Sequence, residues 1–323
     1  MSQNVQADSK MMKIKKLFAN QTVLLLLAIL AAMIGISIAY PPFMKWTNIR
    51  NILVQISIYG TIAMGMTVVM ISGGLDLSVG AMVSANVALM AVLSGYIDNE
   101  WLVCLIGLGA SLMMGAINGL IISNSKAEPF IITLGMMYVY KGLSLIICDS
   151  RNVYLPTGKY RFFGRTYLFN QMIPVPILVL IAVFLAVFLL LKYTRFGRRV
   201  FAIGGNETAA YLSGLHVKRD KLMIYTLLGG ITGIASLIML SRLGVSTPDT
   251  GSGLEMNAVA ACVIGGISLS GGKGSPVGTF LGFMVLGIVN NSLNLLGVSS
   301  FYQYLFLGGV IVVAVVLSNI NRK

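Results

Sequence analysis

Residues 192–221 read KYTRFGRRVFAIGGNETAAYLSGLHVKRDK, a polar island between long apolar runs. Seven of the chain's cations stand in it: Lys192, Arg195, Arg198, Arg199, Lys218, Arg219 and Lys221. Between these basic edges Asn206 can accept the first free backbone N–H groups of a helix, and Gly214 can take the left-handed position that ends one. The spacing predicts a capped helix of about two turns. So short a helix is marginal alone in water, because nucleation costs more than a few backbone bonds return. It needs a surface to dock on. Ala209, Ala210, Tyr211 and Leu212 offer small and apolar contacts, and Glu207 suits the positive end of the helix dipole. On these residues alone an ordinary solvated loop fits equally well, and the flanking runs decide between the two.

Of 323 residues, 57% are hydrophobic and 10% charged, with a mean hydropathy of +0.87. Apolar surface on that scale exceeds what one soluble core can hide, so the chain reads as an all-α polytopic membrane protein. The net charge of +13 could suggest nucleic acid. The cations, however, stand at the ends of apolar runs, where topology explains them, and no nucleic-acid partner is expected. Cys104, Cys148 and Cys262 show no regular spacing and read as small core residues, while the single histidine, His216, leaves no histidine metal cluster.

Ten apolar runs can be placed at about 21–40, 52–71, 79–97, 101–122, 130–147, 173–191, 222–240, 256–267, 277–296 and 301–317. The eighth is short and bounded by glycine, which suits a broken or re-entrant segment. With the N-terminus inside, 15 cations fall inside: Lys10, Lys13, Lys15, Lys16, Lys126, the seven above, Lys273, Arg322 and Lys323. Outside fall 7: Lys45, Arg50, Arg151, Lys159, Arg161, Arg165 and Arg242. The excess predicts cytoplasmic termini and a cytoplasmic central loop. The division is a tail at 1–20, a transmembrane domain at 21–318 with the central loop at 192–221, and a tail at 319–323.

Two glycine-rich breaks share the pattern Gly-Gly-aliphatic-x-Leu-Ser: GGLDLSVG at 73–80 and GGISLSGGKGSPVG at 265–278. Gly73, Gly74 and Gly80 in the first, and Gly265, Gly266, Gly271 and Gly272 in the second, allow backbone to bend where it faces protein or water. Tight turns between helices are the simpler alternative. Asp76 reads as an N-terminal cap for a helix starting near Leu77, or else as a polar group in a pathway. The second break is no phosphate loop, since Ile267 stands where the first glycine should be and Gly274 follows Lys273. No nucleotide site is legible and no cofactor is implied, so any ATP-driven work falls to another polypeptide.

Amides within the spans are the remaining chemical signal, because an amide without a partner is costly in hydrocarbon. Gln55, Asn118, Asn290, Asn291 and Asn294 can line a path that hydrogen-bonds a polyol, or can bond helix to helix. Asn290 and Asn294, four apart, share a helix face. Lys141, about six residues from its helix end, reads as a lysine snorkelling to the interface. A self-powered secondary transporter would want intramembrane acids, which are few here; a membrane scaffold or receptor subunit is a further class.

MTVVMISGGLDLSVGAMV (66–83), PFIITLGMMYVYKGL (129–143), TRFGRRVFAIGGNETAAYLSGL (194–215), ACVIGGISLSGGKGSPVGTFLG (261–282) and NNSLNLLGVSSFYQ (290–303) together resemble the ribose-type monosaccharide permeases of bacterial ABC importers. The resemblance runs from about residue 51 to 318. It implies a multi-pass subunit of the bacterial inner membrane, surrounded by lipid, that pairs with a second copy, a cytoplasmic ABC ATPase and a periplasmic sugar-binding protein. It further implies that ribose, or allose, xylose or galactose, is carried without covalent chemistry. Glu207, Ala209, Ala210 and Gly214 are similar to that family's Glu-Ala-Ala-x3-Gly coupling signature, with Thr208 interrupting it; Asn206 precedes it as the cap.

Overall fold

Backbone in hydrocarbon has no water to pair with, so runs this apolar fold as helices that satisfy their own N–H and C=O groups. They do so in the computed structural model, which describes residues 21–156, 160, 162–299, 301–303, 305, 307–309 and 312. The helices are α1 Gln21–Ala39, α2 Trp46–Ile71, α3 Val79–Leu93, α4 Glu100–Asn124, α5 Pro129–Ile147, α6 Phe162–Arg165 and α7 Val175–Tyr193. After these come α8 Arg195–Gly205, α9 Glu207–Leu212, α10 Val217–Leu243, α11 Leu254–Ile264 and α12 Pro276–Leu295. Four two-residue strands lie in the connections. β1 (Val153–Tyr154) pairs antiparallel with β4 (Val245–Ser246), and β2 (Tyr167–Leu168) with β3 (Ile173–Pro174).

Among the described residues, α2, α4, α5, α7, α10 and α12 are long and apolar enough to cross a membrane, and the chain is an all-α polytopic membrane protein. The expected tails at 1–20 and 319–323, the cations counted there, Lys159, Arg161 and most of the tenth run lie outside the described residues. Local chemistry sets several helix starts. Asn99 caps α4 by accepting from Trp101 N and Leu102 N at 3.1 and 3.2 Å, and proline occupies the first turn of α5, α7 and α12, where its missing N–H costs nothing.

α2 is the central helix, with Ile62 to Ile71 essentially inaccessible and α7, α10, α11 and α12 packed around it. Association inside lipid relies on close van der Waals contact and interhelical hydrogen bonds. Both are seen where α4 meets α10: Gly115 and Gly229 bring the backbones together, and Ser111 Oγ donates to Gly229 O at 2.8 Å. Asn291 of α12 and Asn48 of α2 exchange amide hydrogen bonds at 2.9 and 3.0 Å.

Two apolar helices packed on α2 or α4 are too short to cross. α3, with 15 residues, and α11, with 11, measure ~22 and ~16 Å against a hydrocarbon core of ~30 Å. They meet near their starts: Ser84 Oγ, in the second turn of α3, accepts from Gly251 N at 2.9 Å, just ahead of α11. The eighth run thus forms a short helix bounded by Gly253 and Gly265, and the third run, expected to reach residue 97, stops at Leu93.

Candidate functional site

The segment between α7 and α10 folds as two helices where the sequence predicts one. α8 starts at Thr194, whose Oγ1 accepts from Gly197 N at 3.1 Å, and it buries Gly197, Val200 and Ile203. α9 is the expected short helix. Asn206 Oδ1 accepts from Ala209 N at 2.9 Å, Gly214 has φ of 83°, and Leu215 N closes the turn on Ala210 O at 3.2 Å. Ala210 is buried against Ile203 and Val217, whereas Tyr211 and Leu212 are 69% and 78% exposed. Glu207 is held by Lys221, whose ammonium donates to both carboxylate oxygens at 2.7 Å. Arg199 Nε donates at 2.9 Å to both oxygens of the buried Asp220, fixing α8 on α10.

The end of α8 is seated on both glycine breaks at once. Gly272 N, in the second break, donates to Ile71 O at the end of α2, at 2.8 Å. A Cβ on Gly204 would overlap that same carbonyl oxygen and lie 2.7 Å from Gly272 N. A Cβ on Gly271 would lie 2.7 Å from Gly73 Cα and 2.8 Å from Gly204 O. Gly73, Gly204, Gly271 and Gly272 therefore form one backbone-to-backbone junction. Gly265 packs directly on Gly278 at the start of α12, and Gly266 has φ of 84° in the turn between them.

From that junction residues 74–76 run outside any helix or turn toward the start of α3, and side chains support the stretch. Thr133 Oγ1 accepts from Leu77 N at 3.2 Å, and Tyr225 OH faces Gly74. Asp76 differs from the expected cap. The helix begins two residues later than predicted, at Val79, so the Asp76 carboxylate spans the turn before it, accepting from Ser78 N at 2.8 Å and from Ser78 Oγ at 2.6 Å. Asn118 donates to Asp76 Oδ2 at 3.0 Å and accepts from Tyr140 OH at 2.8 Å. Gly80 lies in the first turn of α3, where Glu255 and Gly251 leave no room for a side chain.

Three of the five singled-out amides come together. Gln55, Asn290 and Asn294 line a cavity of about 350 Å³ with Tyr59, Thr250, Ser252, Asn257 and Gln303, a volume at the small end for organic ligands. Gly253, Leu254 and Asn257 place it beside the start of α11. Gln303 donates to Asn294 Oδ1 at 2.8 Å across it. No charged side chain is among its described lining residues. Carboxamides and hydroxyls each offer both a donor and an acceptor, which complements a polyol. Asn118 and Asn291 are elsewhere, bonded to protein partners. Asn257 and Gln303 escaped the sequence reading, although both are amides in apolar runs and carry the same signal as Gln55.

A bundle of spanning helices with two half-length helices, a neutral polar cavity and an amphipathic segment seated on backbone junctions is the architecture of a multi-pass membrane transport subunit. Residues 48–315 match the family described as branched-chain amino acid transport system / permease component, and the chain belongs to it. It is similar to the ribose import permease protein of Bacillus subtilis strain 168, 45% identical over 295 residues covering 90% of each chain. It is similar as well to the ribose import permease protein of Escherichia coli K12, 38% identical over 91% of this chain and 92% of that one. The D-allose transport system permease protein of the same bacterium is 35% identical, over 92% and 91%. No solved structure matches the chain.

Proposed function

We propose that the chain is the permease subunit of an ATP-driven importer that carries a monosaccharide, ribose first among candidates, across the bacterial inner membrane. The observation that carries the substrate class is the neutral lining of the cavity. An amino acid arrives as a zwitterion and would want paired charges, whereas Gln55, Asn257, Asn290 and Asn294 offer amides only. The similar proteins, ribose and D-allose permeases, point the same way.

A cytoplasmic ATPase is the proposed partner of α9, whose exposed Tyr211 and Leu212 suit a groove. A periplasmic sugar-binding protein delivers the substrate at the opposite end, and a second copy of the chain completes the pair. The cation count supports this orientation. Single cysteines tested with an impermeant thiol reagent on intact cells should react at position 152 and stay silent at 206; labelling at 206 reverses the topology.

Uptake of labelled ribose, D-allose and leucine into cells carrying the full importer tests the substrate. Ribose uptake without leucine uptake is expected, falling roughly tenfold in Asn294→Leu, as loss of one or two buried hydrogen bonds to substrate implies. Leucine uptake, or undiminished ribose uptake in an inserted Asn294→Leu protein, removes the reading.

A further inference from the structure

A second cavity, of about 220 Å³, is lined by Ser84 of α3, Tyr138 and Lys141 of α5, and Asp249, Ser252 and Glu255. Ser252 lines the amide cavity as well, so residues 247–253 form the wall between a neutral compartment and a charged one. Lys141 reads from sequence as a snorkelling anchor, but it is bound inward to this wall. It pairs with Asp249 and donates to Pro248 O at 3.1 Å.

The wall is flanked by glycines in left-handed backbone. Gly244, with φ of 70°, lies against the Arg165 guanidinium, whereas Gly253, with φ of 83°, is open: no heavy atom stands within 4 Å of the place its side chain would take. At its Gly244 end β4 pairs with β1, which joins the wall to the connection between α5 and α7. Beneath it Ser84, 2% exposed, is covered by Gly251. An ion pair whose acid is 74% exposed adds little to folding. It is well suited to a contact that must break and reform.

We infer that Lys141 and Asp249 are positioning residues for transport, a latch that holds the strap 247–253 over the amide cavity and lets it lift when the β1–β4 connection is engaged from outside. This rests on the cavity being the sugar path. The weak pair gives a closed state that a docking partner can open, and lifting the strap merges the two compartments.

The test uses Ser84→Cys with Cys104, Cys148 and Cys262 replaced by serine, labelled by an impermeant maleimide in right-side-out membrane vesicles. Labelling is expected to be slow with the latch intact and about two- to fivefold faster in Lys141→Met or Asp249→Asn, the range that loss of an exposed pair allows. The exchanged pair, Lys141→Asp with Asp249→Lys, should return it to slow. Equal rates in all variants, or a fast exchanged pair, overturn the latch. If the latch variants behave as expected while Asn294→Leu leaves ribose uptake intact, the strap stands and the sugar-path reading falls.

Discussion

Gly204→Val should abolish sugar uptake while leaving the protein in the membrane. A Cβ at that position overlaps the Ile71 carbonyl oxygen and presses on Gly272 N, so it pushes apart the hydrogen bond that ties the end of α2 to the second glycine break. Both neighbours are backbone and have no rotamer to escape into. Overpacking of this kind costs about 1–3 kcal/mol or more, and relief comes by lifting α8 off the junction. Each 1.4 kcal/mol of misplacement is about tenfold in the population of the seated state. Gly205 is the internal control: it is adjacent in sequence, yet no heavy atom stands within 4 Å of the place its Cβ would take, so Gly205→Ala should transport normally. Insertion is expected to persist, since the spanning helices are packed through contacts far from this junction.

The second large effect is expected at α9. Glu207→Arg replaces an ion pair of 2.7 Å with a like-charge pair, a guanidinium beside Lys221, and it places a cation at the positive end of the helix. Gly214→Val meets no atom within 4 Å, so it acts through backbone alone: a β-branched residue at φ of 83° costs roughly 1–2 kcal/mol and reopens the turn that Leu215 N closes. Either change tilts the exposed Tyr211 and Leu212 away from a partner's groove. Membranes carrying either variant should retain several-fold less ATPase, while the permease level is unchanged. Full retention with normal uptake in both would return the segment to an ordinary connector.

The boundaries of α9 were legible because capping is local: Asn206 and Gly214 act within four residues of themselves. α8 is equally local, with Thr194 as cap and Phe196, Val200 and Ile203 at helical spacing, but its closely spaced cations interrupt the apolar pattern and carry a topology signal as well. The glycine pairs showed that backbone bends at 73–80 and 265–278. They did not show that the two bends touch each other and α8, since close approach across about 200 residues leaves no mark on sequence spacing. The amides illustrate the other limit. A helix apolar all round has no phase that says which side faces a cavity. Asn290 and Asn291 are neighbours, but a rotation of one residue sends the first to the cavity and the second to Asn48.

We propose that the junction of Gly73, Gly204, Gly271 and Gly272 carries the work of an ATPase from α8 and α9 into the two half-length helices. Ribose uptake and ATP hydrolysis recorded together in proteoliposomes holding the complete importer with Gly204→Val will test it. The expected result is an ATPase that remains bound through α9 and still hydrolyses ATP while uptake is lost. Uptake that keeps its native proportion to hydrolysis in that variant would contradict the claim.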